Sequence, residues 1–311
     1  METLTTAVSR ALNRLRAAFE PSVPQTSVGQ SGVDLGASES CEPRVDEEQN
    51  TRLRPDIAAA KAIKLARIEP ILNFDMPHRR TDRNFDFLSQ TLRDEFNIVE
   101  TDAVSEHDYD PFALRLIEGA KDGLVLDCGA GRRGRYFDNV VNFEIVAYET
   151  TDVLGVGERL PFKDNSFDGA LSLNVLEHVR DPFTCASEIA RVMKPGAKLY
   201  CVVPFLQHLH AYPHHYYNMT ALGLRNLFEK TLKIEKQEMI ASGLPIWGLS
   251  TMLSSWAEGL SGETKEKFLK MKVSDFLINP VSSLDKPFVK ELSREKNFEL
   301  ACTTALFARK P

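Results

Sequence analysis

Acidic side chains and glycines follow two apolar runs in the middle of the chain, in an arrangement typical of a cofactor site. Asp127 ends the run at residues 124–126, and a G-x-G-x-x-G pattern occupies residues 129–134. A buried parallel strand that stops at a glycine-rich turn has this pattern, because a backbone without side chains lets a ligand lie against the peptide groups. Glu144 ends the next apolar run, where a carboxylate can accept hydrogen bonds from ribose hydroxyls. The glycines alone also match the dinucleotide fingerprint, so they predict a nucleotide-type cofactor without saying which one.

A second group of reactive side chains consists of histidines further along the chain. Four of the seven histidines lie within residues 204–220. A neutral imidazole can remove the proton of an acceptor hydroxyl, and we favour His210 or His215 as such a base or as a substrate ligand. Histidines at this spacing can also bind a metal, but no neighbouring Asp, Glu or Cys completes an obvious ligand set, so no metal site is predicted. A third interpretation is a lid whose Tyr and His side chains pack over the cofactor without taking part in chemistry.

The elements that position these residues alternate between strands and helices. The pattern predicts helices at 83–96, 111–119 and 182–192. It predicts strands at 124–127, 140–144, 167–173, 198–203, 232–240 and 298–307. Strand and helix alternation of this kind predicts an α/β fold, with a mostly parallel sheet and helices on both faces. The acid, the glycines and the histidines then lie at the carboxyl edge of the sheet, where ligands bind in such folds.

Three short motifs after the second strand narrow the choice of cofactor. They read LPF at residues 160–162, SFD at 166–168 and VLEHV at 175–179, ahead of Asp181-Pro182. In this order they resemble the class I S-adenosylmethionine-dependent methyltransferases, of the type 11-like domain, over about residues 108–235. NAD-dependent dehydrogenases do not carry the VLEH stretch after the third strand of this array.

The resemblance implies a Rossmann-like sheet of seven strands with one antiparallel strand, the last in sequence, and a helical insertion before it. It also implies S-adenosylmethionine as the cofactor. The methionine half would approach the first strand and its loop, Glu144 would hold the ribose and Ile145 the adenine, and the carbonyl of Asn174 would meet the ammonium. The implied cofactor-binding residues are Asp127, Cys128, Gly129, Gly131, Glu144, Ile145, Gly157, Glu158 and Asn174.

The chain departs from the family pattern at two positions. Val156 stands where relatives usually have an acid that contacts the adenine amino group, and Arg133 stands where relatives often have glycine. The arginines at 132, 133 and 135 either reach an anionic substrate or form a solvated loop. In the VLEHV motif, Glu177 and His178 are expected to begin the following helix and shape the pocket.

The remainder of the chain predicts additions to this domain. Residues 1–20 have the apolar spacing of an amphipathic leader helix, a candidate for a homodimer or partner contact, and residues 21–56 have the composition of a flexible linker. Residues 57–110 are predicted as an N-terminal helical cap. The methyltransferase domain then spans 111–311, with a helical insertion at about 246–290.

Composition sets limits on compartment and partners. The five cysteines form no CxxC pair, which favours free thiols in a reducing compartment. The formal net charge of -6 argues against general nucleic-acid binding, and no apolar run is long enough for a membrane span. We therefore expect a cytoplasmic methyltransferase acting on a small molecule or saccharide, at oxygen. The alternatives are a protein or RNA methyltransferase and a non-catalytic scaffold that binds S-adenosylmethionine.

Overall fold

The computed structural model describes residues 55–98, 106–210 and 214–310. The predicted leader helix and nearly all of the predicted linker lie outside the described residues. The helices are α1 (Pro55–Ile68), α2 (Gln90–Glu95), α3 (Pro111–Gly119), α4 (Pro182–Val192), α5 (Ala221–Phe228), α6 (Pro245–Glu258), α7 (Gly262–Leu269), α8 (Pro287–Lys290) and α9 (Arg294–Glu299). The strands are β1 (Arg79–Arg80), β2 (Phe85–Asp86), β3 (Val125–Cys128), β4 (Val140–Glu144), β5 (Val153–Leu154), β6 (Phe167–Leu173) and β7 (Met193–Val202).

The strands form a seven-stranded sheet in the order β1-β2-β5-β4-β3-β6-β7. All neighbouring pairs are parallel except β1 with β2, where Arg79 lies opposite Asp86. The chain leaves β3 toward β4 on one side and later returns to β6 on the other. This reversal opens a crevice at the carboxyl ends of β3 and β6, which is the usual ligand position in such sheets. The predicted seven-stranded, mostly parallel α/β fold is confirmed.

The strands are apolar on both faces because each face is covered by helices. Val125 of β3 packs with Ala113 and Ile117 of α3, whereas Leu126, its neighbour in β3, packs in the larger core with Ile189 of α4. Adjacent strand residues point to opposite faces, so both must be apolar in a sheet covered on both sides. This is why β3 reads as a continuous apolar run in the sequence.

Helix α1 is joined to the sheet by buried charges. Lys64 donates from its Nζ to the Val140 carbonyl at 2.7 Å and to Oδ2 of Asp152 at 3.0 Å. Lys61 donates to the Thr151 carbonyl at 2.7 Å, and its Nζ lies 3.5 Å from Oδ1 of Asp152. The hydroxyl of Tyr136 also donates to Asp152. Each buried charge therefore has partners that offset the cost of removing it from water.

Helices α3 and α4 begin at the residues that the sequence predicts. Asp110 and Asp181 precede α3 and α4, and in each case the carboxylate accepts two backbone N–H bonds of the first turn. Proline occupies the first helical position in both, where its missing N–H costs nothing. These helices coincide with the predicted ones at 111–119 and 182–192.

Three element predictions were wrong. The helix predicted at 83–96 is reduced to α2, because residues 85–86 pair with β5 as strand β2. The segment 232–240 forms no strand, and its alternating Lys and Glu side chains give it one polar face with no ladder partner in the part of the chain described. The strand predicted at 298–307 is absent. Residues 298–299 end α9, which Ser293 caps by accepting from Lys296 N, and residues 300–307 pair with no strand in the part of the chain described. The antiparallel strand of the sheet is therefore β1 and not the last element.

The helices within the described ranges are all too short or too polar to cross a membrane.

Candidate functional site

The main cleft lies at the carboxyl ends of β3, β4 and β6. Its space amounts to about 850 Å³, a figure that includes open solvent. Seven of the residues predicted to bind a cofactor line it: Cys128, Gly129, Glu144, Ile145, Gly157, Glu158 and Asn174. Asp127 and Gly131 do not line the cleft. The loops after three separate strands meet here because parallel strands place their carboxyl ends along one edge.

The turn after β3 requires glycine for two separate reasons. Gly129 has a φ of +77°, a left-handed conformation that side chains disfavour. A Cβ at this position would lie 2.4 Å from Cγ2 of Val175, so the backbone is also packed against the turn after β6. Gly131 has a φ of +63° and donates its N–H to Oε2 of Glu144 at 2.7 Å. The turn therefore presents bare backbone to the cleft, as a closely apposed ligand would require.

Glu144 faces this turn from the end of β4. Its carboxylate accepts from Gly131 N and, through Oε1, from Ile145 N at 2.8 Å. Burial raises the pKa of the Glu144 carboxyl, and these two backbone donors partly oppose the shift. A carboxylate held in this way at a strand end can still accept hydrogen bonds from two neighbouring hydroxyls, because each oxygen has two lone pairs.

The loop at residues 157–158 forms another wall of the cleft. A Cβ at Gly157 would lie 2.7 Å from Sγ of Cys185, so the loop backbone is pressed onto helix α4. Oε1 of Glu158 accepts from Arg180 N at 2.9 Å and from Asp181 N at 3.2 Å. The side chain of Glu158 therefore fastens this loop to the start of α4.

Asp127 is fully buried and forms an ion pair that the sequence did not reveal. Its Oδ2 lies 2.9 Å from NH2 of Arg133 and accepts from the Tyr109 hydroxyl at 2.6 Å. Oδ1 has no partner among the residues described. Burial raises the pKa of the Asp127 carboxyl, while the Arg133 guanidinium and the Tyr109 hydroxyl oppose that shift.

The arginines at residues 132, 133 and 135 have different surroundings. Arg133 is 2% exposed, so the solvated-loop interpretation is wrong for it. It does not line the main cleft but lines a second pocket with His107 and Tyr109. Arg132 is exposed and pairs with Glu106. Arg135 lies over the ring of Phe137, at 4.9 Å from its centroid.

The turn after β6 brings polar side chains to the cleft. Asn174 has a φ of +56°, and its N–H donates to the Val202 carbonyl at 2.9 Å. Glu177 is completely buried, and burial raises its pKa to about 8. His178 lines the cleft, and burial lowers its pKa to about 4, so it is neutral at physiological pH.

The histidine segment is fastened to this same turn. The carbonyl of Glu177 accepts from Tyr216 N at 2.7 Å and from Tyr217 N at 3.2 Å. His210 and His215 lie with ring centroids 4.3 Å apart, and each is within 5.5 Å of the His178 ring. Burial lowers the pKa of His210. The three imidazoles therefore form one cluster beside the cleft.

The two predicted base candidates differ in their free atoms. Nε2 of His215 lies 2.9 Å from Oδ1 of Asn218, and its Nδ1 accepts from His210 N at 3.3 Å. Nδ1 of His210 faces the His208 carbonyl at 2.9 Å. An N–H on that atom leaves Nε2 of His210 with its lone pair, so His210 is the better placed of the two to accept a proton.

Several residues of the cleft were missed by the sequence interpretation. Apolar side chains form much of its wall, and the motif VLEHV already contained two of them at helical spacing, Val175 and Val179. Phe96 and Ile98, from the segment after α2, line the opposite wall without any motif. Their position depends on how the segment after α2 packs, and local sequence patterns do not predict that packing.

The geometry fits an adenosine-type cofactor. The bare backbone at Gly129 suits a charged tail, and the carboxylate at the end of β4 suits a ribose. The apolar wall formed by Ile145 and Val179 suits a flat base. The separation of these three features along one strand edge makes the cleft suited to an elongated ligand.

Part of the chain matches a known protein family. Residues 126–201 match a family described as "Methyltransferase domain". This range contains the turn after β3 with Gly129 and Gly131 (the glycine turn), Glu144 and the VLEHV motif.

Individual relatives match parts of the chain. An uncharacterized protein of Methanocaldococcus jannaschii is 38% identical over 102 residues, covering 29% of this chain and 44% of that protein. The ubiquinone biosynthesis O-methyltransferase of Maricaulis maris is 29% identical over 170 residues, covering 49% of this chain and 64% of that enzyme. The chain thus spans less than two thirds of either relative.

Among solved structures, the chain is similar to the putative methyltransferase crystallised with the Haloferax volcanii Trm112 methyltransferase activator. The identity is 20% and the TM-score 0.30, over 41% of this chain and 72% of that one.

Proposed function

We propose that this chain is a class I S-adenosylmethionine-dependent methyltransferase. It transfers a methyl group to a hydroxyl oxygen of a small molecule or saccharide. The family match over residues 126–201 supports the methyltransferase assignment. The observation that carries the proposal is the convergence of the glycine turn, the Glu144 carboxylate and the turn after β6 on one cleft. A non-catalytic binding module would need the first two features but not the imidazole cluster of His178, His210 and His215 beside them.

The cofactor would be held mainly by backbone and by one carboxylate. The turn at Cys128–Gly129 would meet the methionine half, Glu144 the ribose hydroxyls, and Ile145 with the 157–158 loop the adenine. Asn174 would offer its carbonyl to the ammonium. When bound, the cofactor supplies a methyl group activated by its sulfonium charge, so the protein need only align the acceptor and exclude water. Asp127 would act by supporting the β3 turn from beneath, through its pairing with Arg133.

The acceptor is proposed from the cleft wall and from one relative. Phe96, Ile98 and Val179 give the cleft an apolar side that suits a small, partly apolar acceptor. The relative from Maricaulis maris is named as an O-methyltransferase, which supports oxygen as the acceptor atom. A net charge of -6 disfavours RNA as the acceptor.

A hydroxyl acceptor must lose its proton as it attacks the methyl group. The imidazole cluster beside the cleft is where we place this step, with His210 or His215 as the predicted proton acceptor. His210 is favoured because its Nε2 has no hydrogen-bond partner among the residues that the structure describes, while both ring nitrogens of His215 are engaged. Burial keeps His210 neutral and therefore able to accept a proton at physiological pH.

Calorimetry with S-adenosylhomocysteine tests the cofactor assignment. The protein should bind it, and Glu144→Gln should bind about 10- to 100-fold more weakly, because hydrogen bonds to a charged group are worth about 1.5–3 kcal/mol. Glu118→Gln, an exposed position on α3, should bind as the unaltered protein does. Absence of heat at high ligand concentration would refute the assignment.

The acceptor itself requires a turnover experiment. The protein is incubated with a methyl-labelled cofactor and a pool of small metabolites, and mass spectrometry detects labelled products. Label on a hydroxyl-bearing small molecule is the expected result. Tight cofactor binding with no label transferred to any pool, whether metabolite, protein or RNA, would favour the scaffold alternative.

A further inference from the structure

Three side chains beside the cleft present ligand atoms to one another. The carboxylate of Glu177 and ring nitrogens of His178 and His210 all lie within 4.8 Å of one another. Oε1 of Glu177 is 3.7 Å from Nε2 of His178. The histidine segment reaches this position because its backbone hydrogen bonds to the carbonyl of Glu177.

The Glu177 carboxylate is the most unusual member of this group. It is 0% exposed, and neither of its oxygens has a hydrogen-bond partner within the described ranges. A buried polar group without a partner costs free energy, and a carboxylate costs more than a neutral group. A cation held between Glu177 and the two imidazoles would remove this cost, since both oxygens are available as ligands.

Both imidazoles are oriented from behind by backbone carbonyls. Nδ1 of His178 lies 2.7 Å from the His214 carbonyl, and Nδ1 of His210 lies 2.9 Å from the His208 carbonyl. A proton on each Nδ1 leaves the lone pair on each Nε2. Histidines that bind metals are commonly fixed in this way, with the second nitrogen donating to a backbone carbonyl or carboxylate.

We infer that Glu177, His178 and His210 bind a divalent transition-metal ion, with Zn²⁺ the best match to this donor set. Two imidazoles and one carboxylate form a known three-ligand arrangement for zinc that leaves a coordination position open. Tetrahedral coordination at about 2.1 Å brings ligand atoms to about 3.4 Å from one another, so binding would draw the three side chains together. The carboxylate that completes the ligand set, Glu177, lies outside the histidine segment at 204–220.

The inference rests on the proposed function for its chemical role. His178 belongs both to this group and to the cleft wall, so a metal held there would lie beside the space proposed for the acceptor. A metal-bound hydroxyl loses its proton more readily, with the proton passing to water and the electron pair remaining on the oxygen that takes the methyl group. His210 would then be a ligand that positions the metal, and not a free base.

Direct metal binding tests the site without requiring an acceptor. The protein of residues 1–311 is prepared with Cys41→Ser and Cys302→Ser, which remove the Cys41 thiol and the exposed Cys302 thiol. It is stripped with a chelator, dialysed and titrated with Zn²⁺ alone. One strong site per chain is expected. Glu177→Gln and His210→Ala should each weaken it at least ~10-fold, the size of effect that even outer-shell changes produce at metal sites. His208→Ala, which removes a neighbouring imidazole outside the set, should bind as the unaltered protein does.

The same variants are titrated with S-adenosylhomocysteine, so that loss of the metal site is separated from loss of the cofactor site. Unchanged cofactor binding with weakened Zn²⁺ binding supports the inference and shows that the variants fold. Equal Zn²⁺ affinity in the parent, Glu177→Gln and His210→Ala proteins would overturn it, as would failure of the parent to bind Zn²⁺. Zn²⁺ binding without any cofactor binding would keep the metal site and refute the proposed function.

Discussion

The NH2 group of Arg133 lies 2.9 Å from Oδ2 of Asp127, and both side chains are buried beneath the glycine turn. Nε of the same guanidinium donates to Oδ2 at 3.0 Å, and NH1 donates to the His107 carbonyl at 2.8 Å. Asp127, near the end of the central strand β3, is therefore paired with a residue of the loop that follows the strand. This ion pair closes the glycine turn on itself.

Loss of this pairing should destabilise the fold. Arg133→Met leaves the Asp127 carboxylate buried with only the Tyr109 hydroxyl, and removal of one partner of a buried ion pair costs about 3–5 kcal/mol. Arg132→Met removes the adjacent arginine, whose pair with Glu106 is about half exposed and worth about 0–1 kcal/mol. Urea unfolding of the two variants measures the contrast. Equal free energies of unfolding in the two variants would contradict the buried pairing.

The glycine turn offers a prediction with a close control. Gly129→Ala adds a side chain at a φ of +77° and places its Cβ 2.4 Å from Val175, at the cleft wall. Gly196→Ala adds the same side chain at a φ of +83°, but nothing lies within 4 Å of its Cβ. Both variants should lose about 1–2 kcal/mol of stability from the left-handed conformation. Gly129→Ala should lose more, and only that variant should bind S-adenosylhomocysteine more weakly in calorimetry. Matching cofactor affinities would remove the turn from the binding site.

Stability should depend on pH through Lys64. Burial lowers the pKa of Lys64 to about 8 from its ordinary 10.5, although Asp152 opposes the shift and Lys61 adds to it. Below pH 8 both the folded and the unfolded chain carry the proton, so the full cost of the buried charge is present. As the pH rises above 8, the folded chain releases a proton that the unfolded chain keeps. The free energy of unfolding should therefore rise, by at most about 1.4 kcal/mol per pH unit.

Urea unfolding between pH 7 and 9.5 checks this dependence by comparison with Lys64→Met, which cannot titrate. The difference between the two proteins should change across that range, and Lys121→Met, at an exposed position, should keep the slope of the unaltered protein. A Lys64→Met protein with the full original slope would assign the titration to another group.

Local sequence patterns were sufficient to predict the central strands of the sheet and most of the cofactor-site residues that line the cleft. Glu144 and the glycine turn stand where apolar runs end, and parallel strands must place those ends along one edge, so their meeting in the cleft follows from periodicity and the motif order. Strand predictions failed where pairing decides the outcome. Residues 85–86 became a strand because β5 was beside them, and residues 298–299 stayed helical because Ser293 supplied a cap.

Side-chain pairing across the chain was beyond those patterns. The sequence predicts that Arg133 lies in a loop, but local patterns do not predict its distance from Asp127. The two side chains become a buried pair because the turn after β3 brings Arg133 back to the strand. Likewise, VLEHV and the histidine segment were recognisable as motifs, yet Glu177 meets His210 only because the backbone after residue 213 hydrogen bonds to the turn after β6. Periodicity and end signals act over a few residues and therefore determine strands, caps and the cofactor edge. Contacts between distant segments depend on packing of the whole sheet, and these decide which charges are paired and where three metal-ligating side chains converge.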